Sequence, residues 1–492
     1  MIAAHLPVLV ILVPLAAAPL CSLLPGRRVA WAWATAVATA VFGLAVQLLH
    51  TVQNAGTQVY RLGGWQAPWG IELRVDGAGA LVIALIALIG LVVLCHSVRA
   101  LDREVDEERQ PLFYTAYLLC LAGLLGIAAT GDAFNLFVFL EISSLSGYAL
   151  IAAGPHRRAL LASFRYLIMG SIGATFVLIG IGLLYMATGT LNMADLAQRL
   201  PTATAGRTVT AAFGFLTVGF SLKMALFPLH AWLPNAYAYA PSTATAFLAA
   251  TATKVSIYAF ARFAYSILGG GTAFGSLHAE YLMVPLALVG IFAASAVAIF
   301  QNDLKRLLAY SSVAQVGYIV LGLGLATEQG VKAGFLHLFN HGLMKGALFL
   351  VVANIAWGVG SARLDDLSGL GRRMPITMFA FILGGLNLIG VPLTAGFVSK
   401  WHLLLAALDL GWWPVAALVL AGSLLAVAYV WRVVEVAYFR PAPEGAPTVE
   451  APLALQWPTW LLLGTTLYLG INPGGLLEIA DTAARALIGG TP

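Results

Sequence analysis

Seven ionisable side chains stand inside long apolar runs. Glu141 follows Asn135-Leu136-Phe137-Val138-Phe139-Leu140, and Lys223 precedes Met224-Ala225-Leu226-Phe227-Pro228. Lys254 sits in Ala252-Thr253-Lys254-Val255; His337, His341 and Lys345 follow at steps of four; Lys400 lies beyond Gly390-Val391-Pro392. A charge near the centre of a bilayer costs ~2.5–3.5 kcal/mol on insertion scales, so such residues are rare and usually functional. Their types fit proton transfer. A low-dielectric surrounding favours the neutral amine of a lysine, and an adjacent carboxylate favours the ammonium. A lysine held between those two influences changes protonation when its partner moves. The i, i+4, i+8 spacing sets His337, His341 and Lys345 along one helical face. The competing role is structural: buried ion pairs that only fix helix packing.

Other chemistry is poorly represented. His337-x3-His341 has the spacing of a zinc pair, but the Glu that follows the first His in a metalloprotease helix is missing, so no metal is expected. No GxGxxG or phosphate loop occurs, and no cofactor is expected; Gly322-Leu323-Gly324 reads as close helix packing. Cys21, Cys95 and Cys120 form no CxxC pair, which argues against a disulfide framework or a metal cluster. For a sodium site, only Asp132 and Glu141 present themselves.

The elements that must carry these residues are membrane helices. Of 492 residues, 60% are hydrophobic and 10% are charged, where a soluble domain carries roughly 25% charged. The mean hydropathy is +0.90. A soluble enzyme, a disordered chain and a nucleic-acid binder are excluded, and the net charge of +5 reads as topology, since no basic block exists. Apolar runs give about fourteen spans, near 2–24, 29–50, 78–98, 111–130, 133–153, 159–187, 208–227, 242–265, 282–301, 307–326, 331–357, 375–407, 413–438 and 456–472. The first reads as a span, without the leading Lys or Arg of a cleaved signal. A polar link, Thr51 to Asp76, follows span 2, and Arg99 to Gln110 is the most charged stretch.

Spans 7 and 12 are interrupted by Pro228 and Pro392. Proline removes a backbone bond, and lipid tolerates that only where the loosened backbone is buried or lines a wet cavity. Two such spans five apart predict two five-helix repeats, and an odd number of spans inverts the second copy. Paired broken helices in inverted repeats point to a transport path. Loops after odd spans carry thirteen Lys and Arg, among them Arg157, Arg158, Lys305 and Arg363, against six in the even loops and tail. Odd loops are therefore expected in the cytoplasm, with both termini on the outer, periplasmic side of a bacterial inner membrane.

These residues carry a family resemblance. Gly131-Asp132-Ala133-Phe134-Asn135-Leu136-Phe137 leading to Glu141, Lys223 to Pro234, Gln301 to Ser312, His337 to Lys345, and Gly390 to Lys400 together resemble the proton-conducting antiporter-like subunits. That family is shared by respiratory complex I, membrane-bound hydrogenases and Mrp-type multisubunit sodium/proton antiporters. Leu191-Asn192-Met193-Ala194-Asp195-Leu196 is similar to the D subunit of the Mrp antiporter in particular. The resemblance implies fourteen spans, with spans 4–8 and 9–13 as inverted repeats and spans 7 and 12 broken, which divides the chain into 1–110 (spans 1–3), 111–265 (first repeat), 282–438 (second repeat) and 456–492 (span 14 and tail). It implies that Glu141 and Lys223 form the coupling pair of a first half-channel, that Lys254 and the span 11 histidines carry protons along the centre, and that Lys400 ends a second half-channel. A lysine in span 12 disfavours the complex I subunit type with glutamate there, and the tail of about twenty residues leaves no room for a long lateral helix. Asp303, Lys305 and Arg306 match a family motif at the membrane edge, where anchoring is expected.

The expected function is the proton-translocating subunit of a multisubunit monovalent cation (Na+)/H+ antiporter: a transporter component with no cofactor, partnered by other subunits and lipid, moving protons and sodium. The alternative is a proton-pumping subunit of a complex I-like oxidoreductase or membrane-bound hydrogenase. A third class is a membrane scaffold or a proton-coupled partner in inorganic-carbon uptake.

Overall fold

The computed structural model describes residues 2–202, 206–443 and 450–489. Helices α1 (Leu6–Ser22) and α2 (Arg27–Ala55) lead into an antiparallel hairpin, β1 (Gln58–Arg61) and β2 (Glu72–Val75), with Gln58 opposite Val75 and Arg61 opposite Glu72. Then come α3 (Gly77–Ala100), α4 (Gln110–Ala129), α5 (Ala133–Ala152), α6 (Arg157–Thr188) and the short α7 (Met193–Arg199). Helices α8 (Gly206–Met224), α9 (Leu233–Tyr239) and α10 (Ser242–Ala261) follow, then α11 (Glu280–Ile299), α12 (Leu304–Gly324) and α13 (Glu328–Val359). The chain ends with α14 (Leu370–Arg373), α15 (Pro375–Ile389), α16 (Ala395–Asp409), α17 (Trp413–Phe439), α18 (Leu453–Ile471) and α19 (Gly474–Ile488).

Ten helices among the described residues are long and apolar enough to cross a membrane. The other four expected spans fall on α1, on the broken pairs α8/α9 and α15/α16, and on α18. The chain is a helical, multi-pass membrane protein, with one small hairpin among the described residues. In a bilayer an apolar face is satisfied by lipid, whereas polar side chains need protein partners, so the less apolar spans lie innermost. Accordingly α10 and α12, the less apolar, are 89% and 94% buried, whereas the more apolar α2 and α17 are 33% buried and form the periphery. Lys254, His337, His341 and Lys345 ride on interior helices α10 and α13.

Both breaks begin where proline chemistry puts them. A proline cannot donate to the carbonyl four residues back, and its ring crowds that carbonyl. Helix α8 stops at Met224, four before Pro228; α15 stops at Ile389, next to the position four before Pro392. Gly390, at φ +89°, takes the left-handed turn that closes α15, a conformation costly for any residue with a Cβ.

One local motif occurs twice. Asp132 caps α5 by accepting from the Asn135 amide, and its backbone bridges to Asn192 just past α6. Asp303 caps α12 by accepting from the Arg306 amide and bridges to Arg363 just past α13. The crossover helices α6 and α13 are each 32 residues long. Gly131 N donates to Glu72 O just before α3 (3.0 Å), while Lys305 Nζ lies 3.9 Å from Glu104 just after it. The two copies therefore sit at opposite ends of α3, about 36 Å apart for its 24 residues.

Helix α19 lies where the sequence reading had only a tail. Its buried Leu476, Ala480, Ala483, Ala484 and Leu487 form one face, and it is pinned to α13 by Lys332–Asp481 (2.7 Å) and Arg485–Glu328 (2.9 Å). Thr482 packs on Gly77 at the hairpin end of α3, and His5 meets the hairpin's Tyr60 edge-on at 5.5 Å. Both ends of the chain thus lie on one face.

Candidate functional site

Helices α5 and α8 bring Glu141 and Lys223 together: Lys223 Nζ stands 3.7 Å from Glu141 Oε1. That is an ion pair without a hydrogen bond, since Glu141 Oε1 has no hydrogen-bond partner. Lys223 donates instead to Ser144 Oγ at 2.8 Å. Ser144 lies three residues past Glu141, so both project toward the same side of α5. The two partners differ in surroundings: the Lys223 side chain is 3% exposed and that of Glu141 29%. Around Glu141, α5 presents Phe134, Val138 and Leu145 outward. Beyond the break, Trp232 Nε1 takes up the Leu222 carbonyl (2.9 Å).

The second break builds the other lysine site. Ending α15 at Ile389 frees carbonyls that a continuous helix would use. Two of them, Leu388 O and Ile389 O, accept from Lys400 Nζ at 3.0 Å each. The same ammonium group lies 4.7 Å from the Tyr318 ring centroid, a cation–π distance. Next to it, His337 Nδ1 meets Ser399 Oγ at 2.9 Å and Nε2 meets Gln315 Oε1 at 2.8 Å. Both His337 nitrogens are therefore engaged, which leaves neither for a metal. The His337 and His341 rings stack at 6.0 Å with a 5° interplanar angle, as the i, i+4 spacing predicts.

Further along α13, Lys345 donates to Leu308 O (2.9 Å) and to Ser311 Oγ. On α10, Lys254 donates to Ala249 O (2.5 Å) and Thr253 Oγ1 (3.3 Å) and is fully buried. His341 is fully buried too, and neither ring nitrogen has a hydrogen-bond partner. It stacks on His337 and lies one turn from Lys345 on α13. Among the described residues, no direct hydrogen bond joins Lys223 to Lys254, or Lys254 to His341. Transfer across those gaps needs rotation of side chains or intervening water.

The sequence reading missed the neutral partners: Ser144, Gln315, Ser399, Ser311 and Tyr318. Ser311, Gln315 and Tyr318 fall at i, i+4, i+7 on α12, a polar stripe in an apolar span that could have revealed them. It also missed His96, fully buried on α3, which meets Asn354 Oδ1 at 2.8 Å.

Charged clusters close both ends. At the hairpin end Asp76 caps α3 and grips Arg262 through two bonds (2.6 and 2.7 Å), while Arg262 also reaches Tyr258 OH at 2.8 Å. Burial raises the Asp76 carboxyl, but the charge and hydrogen bonds of Arg262, with the Gly79 amide, prevail and hold it below the usual range. Burial pushes the Asp132 carboxyl up against the pull of its capped amides, and does the same to Asp303. At the opposite end Asp303, Lys305 and Arg306 tie elements together. Lys305 reaches Ala240 O (3.3 Å) and Glu104, and Arg306 reaches Asn235 Oδ1 (3.0 Å) and Gln301 Oε1 (3.1 Å).

Comparison with known proteins fits this geometry. Residues 130–426 match the transmembrane family described as NADH:quinone oxidoreductase/Mrp antiporter. The chain is similar to the N subunit of an NADH-quinone oxidoreductase from Desulforudis audaxviator, at 44% identity over 92% of this chain and 90% of that one. It is similar to the D subunit of the Na(+)/H(+) antiporter of Bacillus subtilis, at 30% identity over 92% and 90%. It superposes on a chain of the Mrp complex from Dietzia with a TM-score of 0.90, 27% identity, and 99% and 98% coverage. The chain therefore belongs to the NADH:quinone oxidoreductase/Mrp antiporter transmembrane family. Its motifs do not separate the two branches: the resemblance to the antiporter's D subunit is real, and the identity to an oxidoreductase N subunit is higher.

Proposed function

We propose that this member of the family moves protons through a buried relay, with Glu141 and Lys223 as its coupling pair and Lys254, His337, His341, Lys345 and Lys400 as its central and terminal groups. The observation that carries the reading is the Glu141–Lys223 pair itself. It is an ion pair at 3.7 Å whose lysine also bonds Ser144, a hydroxyl that can partner the nitrogen charged or neutral, so the carboxylate can leave without stranding it. Withdrawal of Glu141 removes the charge that favours the ammonium and releases a proton toward the centre.

The relay is distributed over two copies of a five-span unit, 111–265 and 282–438, the second inverted. The doubled Asp132 and Asp303 caps at opposite ends of α3 support this organisation. The protein works within a multisubunit complex in a bacterial inner membrane, with its arginine-rich loops in the cytoplasm. The apolar face around Glu141 on α5 fits a contact with a neighbouring subunit.

Two hosts remain for that complex. The 44% identity to a quinone oxidoreductase component favours a redox-driven pump. The superposition on the Mrp complex and the 30% identity to the antiporter's D subunit favour sodium/proton exchange. One experiment addresses both the relay and its drive. The whole complex is reconstituted in vesicles, and lumenal pH is followed under an imposed Na+ gradient and, separately, under quinone reduction. Only one drive should acidify the wild-type lumen. Glu141→Gln and Lys223→Ala should each abolish that signal while assembly survives. Lys223→Arg should also fail, because arginine does not release its proton. Normal proton movement in assembled Glu141→Gln or Lys223→Ala complexes sinks the relay.

A further inference from the structure

A cavity of about 740 Å³ opens at the arginine-rich end of the molecule. Arg103, Arg157, Arg158, Lys305 and Arg363 line it, against only Glu104 and Asp303 in its described lining. Both carboxylates are engaged. Glu104 accepts from Ser242 N and Ser242 Oγ at 2.6 Å each and neighbours Lys305; Asp303 caps α12. Arg103 lies over the Trp357 ring at 4.4 Å, and Arg158 is 5.9 Å from that of Tyr239. Arg157 and Arg158 meet no carboxylate among the described residues.

A second depression, of about 190 Å³, continues from this cavity along α6. It shares Arg158 and Tyr239 with the cavity and adds Leu161, Ala162, Arg165 and Asn235. Arg165 stands well inside the span, about 12 Å along α6 from its first residue. It is exposed on the outer face of α6 and forms no ion pair or hydrogen bond among the described residues. Its surroundings there are exposed and apolar: Leu161, Phe164 and Ile168. A lone guanidinium facing hydrocarbon is costly. A phosphodiester relieves that cost, because the guanidinium fork matches two phosphate oxygens. Arg158 and Arg165, about two turns apart, share one side of α6.

We propose that the cavity and groove seat one anionic phospholipid of the arginine-rich leaflet. Its phosphate lies between Arg158 and Arg165, its headgroup turns into the cavity beside Arg157, and an acyl chain covers Leu161, Phe164 and Ile168. Basic pockets between spans on the cytoplasmic side bind such headgroups in other membrane proteins. Free phosphate has the same charge chemistry, but it uses only the cavity and leaves the continuous apolar groove unfilled.

The test uses the assembled complex in nanodiscs, with phosphatidylglycerol or phosphatidylcholine as probe and bound lipid counted by native mass spectrometry. Phosphatidylglycerol should be retained over phosphatidylcholine. An Arg158→Gln/Arg165→Gln variant should hold it roughly thirtyfold more weakly, at about one kcal/mol for each cation. Arg207→Gln, elsewhere on the surface, should change nothing. A photoreactive phosphatidylglycerol on the wild-type complex should mark Leu161 or Phe164, which tests the site even if the double variant fails to assemble. Equal retention of the two lipids, or no loss in an assembled double variant, overturns the proposal. So does full displacement by inorganic phosphate, which would make the cavity a free-anion site. Cross-linking of Arg165 to a carboxylate of a neighbouring subunit would replace the lipid with a protein partner.

Discussion

At the scale of single residues, neutral side chains decide what the charged ones can do. Ser144 satisfies Lys223 so that Glu141 need not, and Gln315 and Ser399 hold both nitrogens of His337 while His341 is left unbonded. A relay needs this inequality: groups that are firmly held and groups that can turn. The end clusters follow a different rule. Asp76 and Arg262 form a bidentate pair with side chains 10% and 12% exposed. Removing one partner of a buried pair typically costs about 3–5 kcal/mol, because the other charge is stranded. Asp76→Asn should therefore lower thermal stability markedly at neutral pH. The Asp76 carboxyl is held below its usual range in the folded chain. Its stabilisation is therefore present above the unfolded pKa of about 4 and is lost as pH falls through the lower folded value. The gap in melting temperature between wild type and Asp76→Asn should be widest near pH 7 and close in acid. A gap that does not change with pH would mean that Asp76 acts as a cap and not as a charge.

At the scale of elements, much was legible because the signals are local. Long apolar runs located the spans, and Pro228 and Pro392 located both breaks. The helix ends came out a few residues early because proline disables the carbonyl behind it, at Met224 in the first break. Elements held by distant contacts stayed hidden. Helix α19 owes its place to Lys332 and Glu328 on α13, and β1 pairs with β2 across a loop that reads only as polar. The two carbonyl partners of Lys400 were equally invisible, since backbone oxygens carry no residue signature. Their role can be tested by closing the break. In a Gly390→Ala/Pro392→Ala variant the backbone donor returns, and a Cβ at position 390 strains the left-handed turn and meets Lys400 Cδ at 3.0 Å. Helix α15 should then run on and withdraw Leu388 O and Ile389 O from Lys400. Assembly and melting temperature should hold or improve, since an interrupted helix loses about 3 kcal/mol, while proton movement should fall sharply. Unchanged proton movement, with a continuous helix seen in the variant's structure, would remove Lys400 from the terminal position.

At the scale of the molecule, orientation links the parts. Thirteen Lys and Arg follow odd spans and six follow even ones or the tail, a bias that argues for a cytoplasmic Arg363 end. The contacts give an independent constraint: the hairpin, His5 and α19 all gather at the other end of α3, so the two termini share the face opposite Arg363. The lipid site also depends on this, because the anionic surface potential belongs to the cytoplasmic leaflet. Exposed Gln66 in the hairpin loop and exposed Asp365 beside Arg363 sample the two faces. In a chain with Cys21, Cys95 and Cys120 replaced by alanine, Gln66→Cys should react with a membrane-impermeant maleimide in cells whose inner membrane is intact. Asp365→Cys should react only after that membrane is opened. The opposite pattern would invert the chain, turn its arginines to the outer leaflet and remove the electrostatic basis of the phospholipid seat, while leaving the Glu141–Lys223 ion pair untouched.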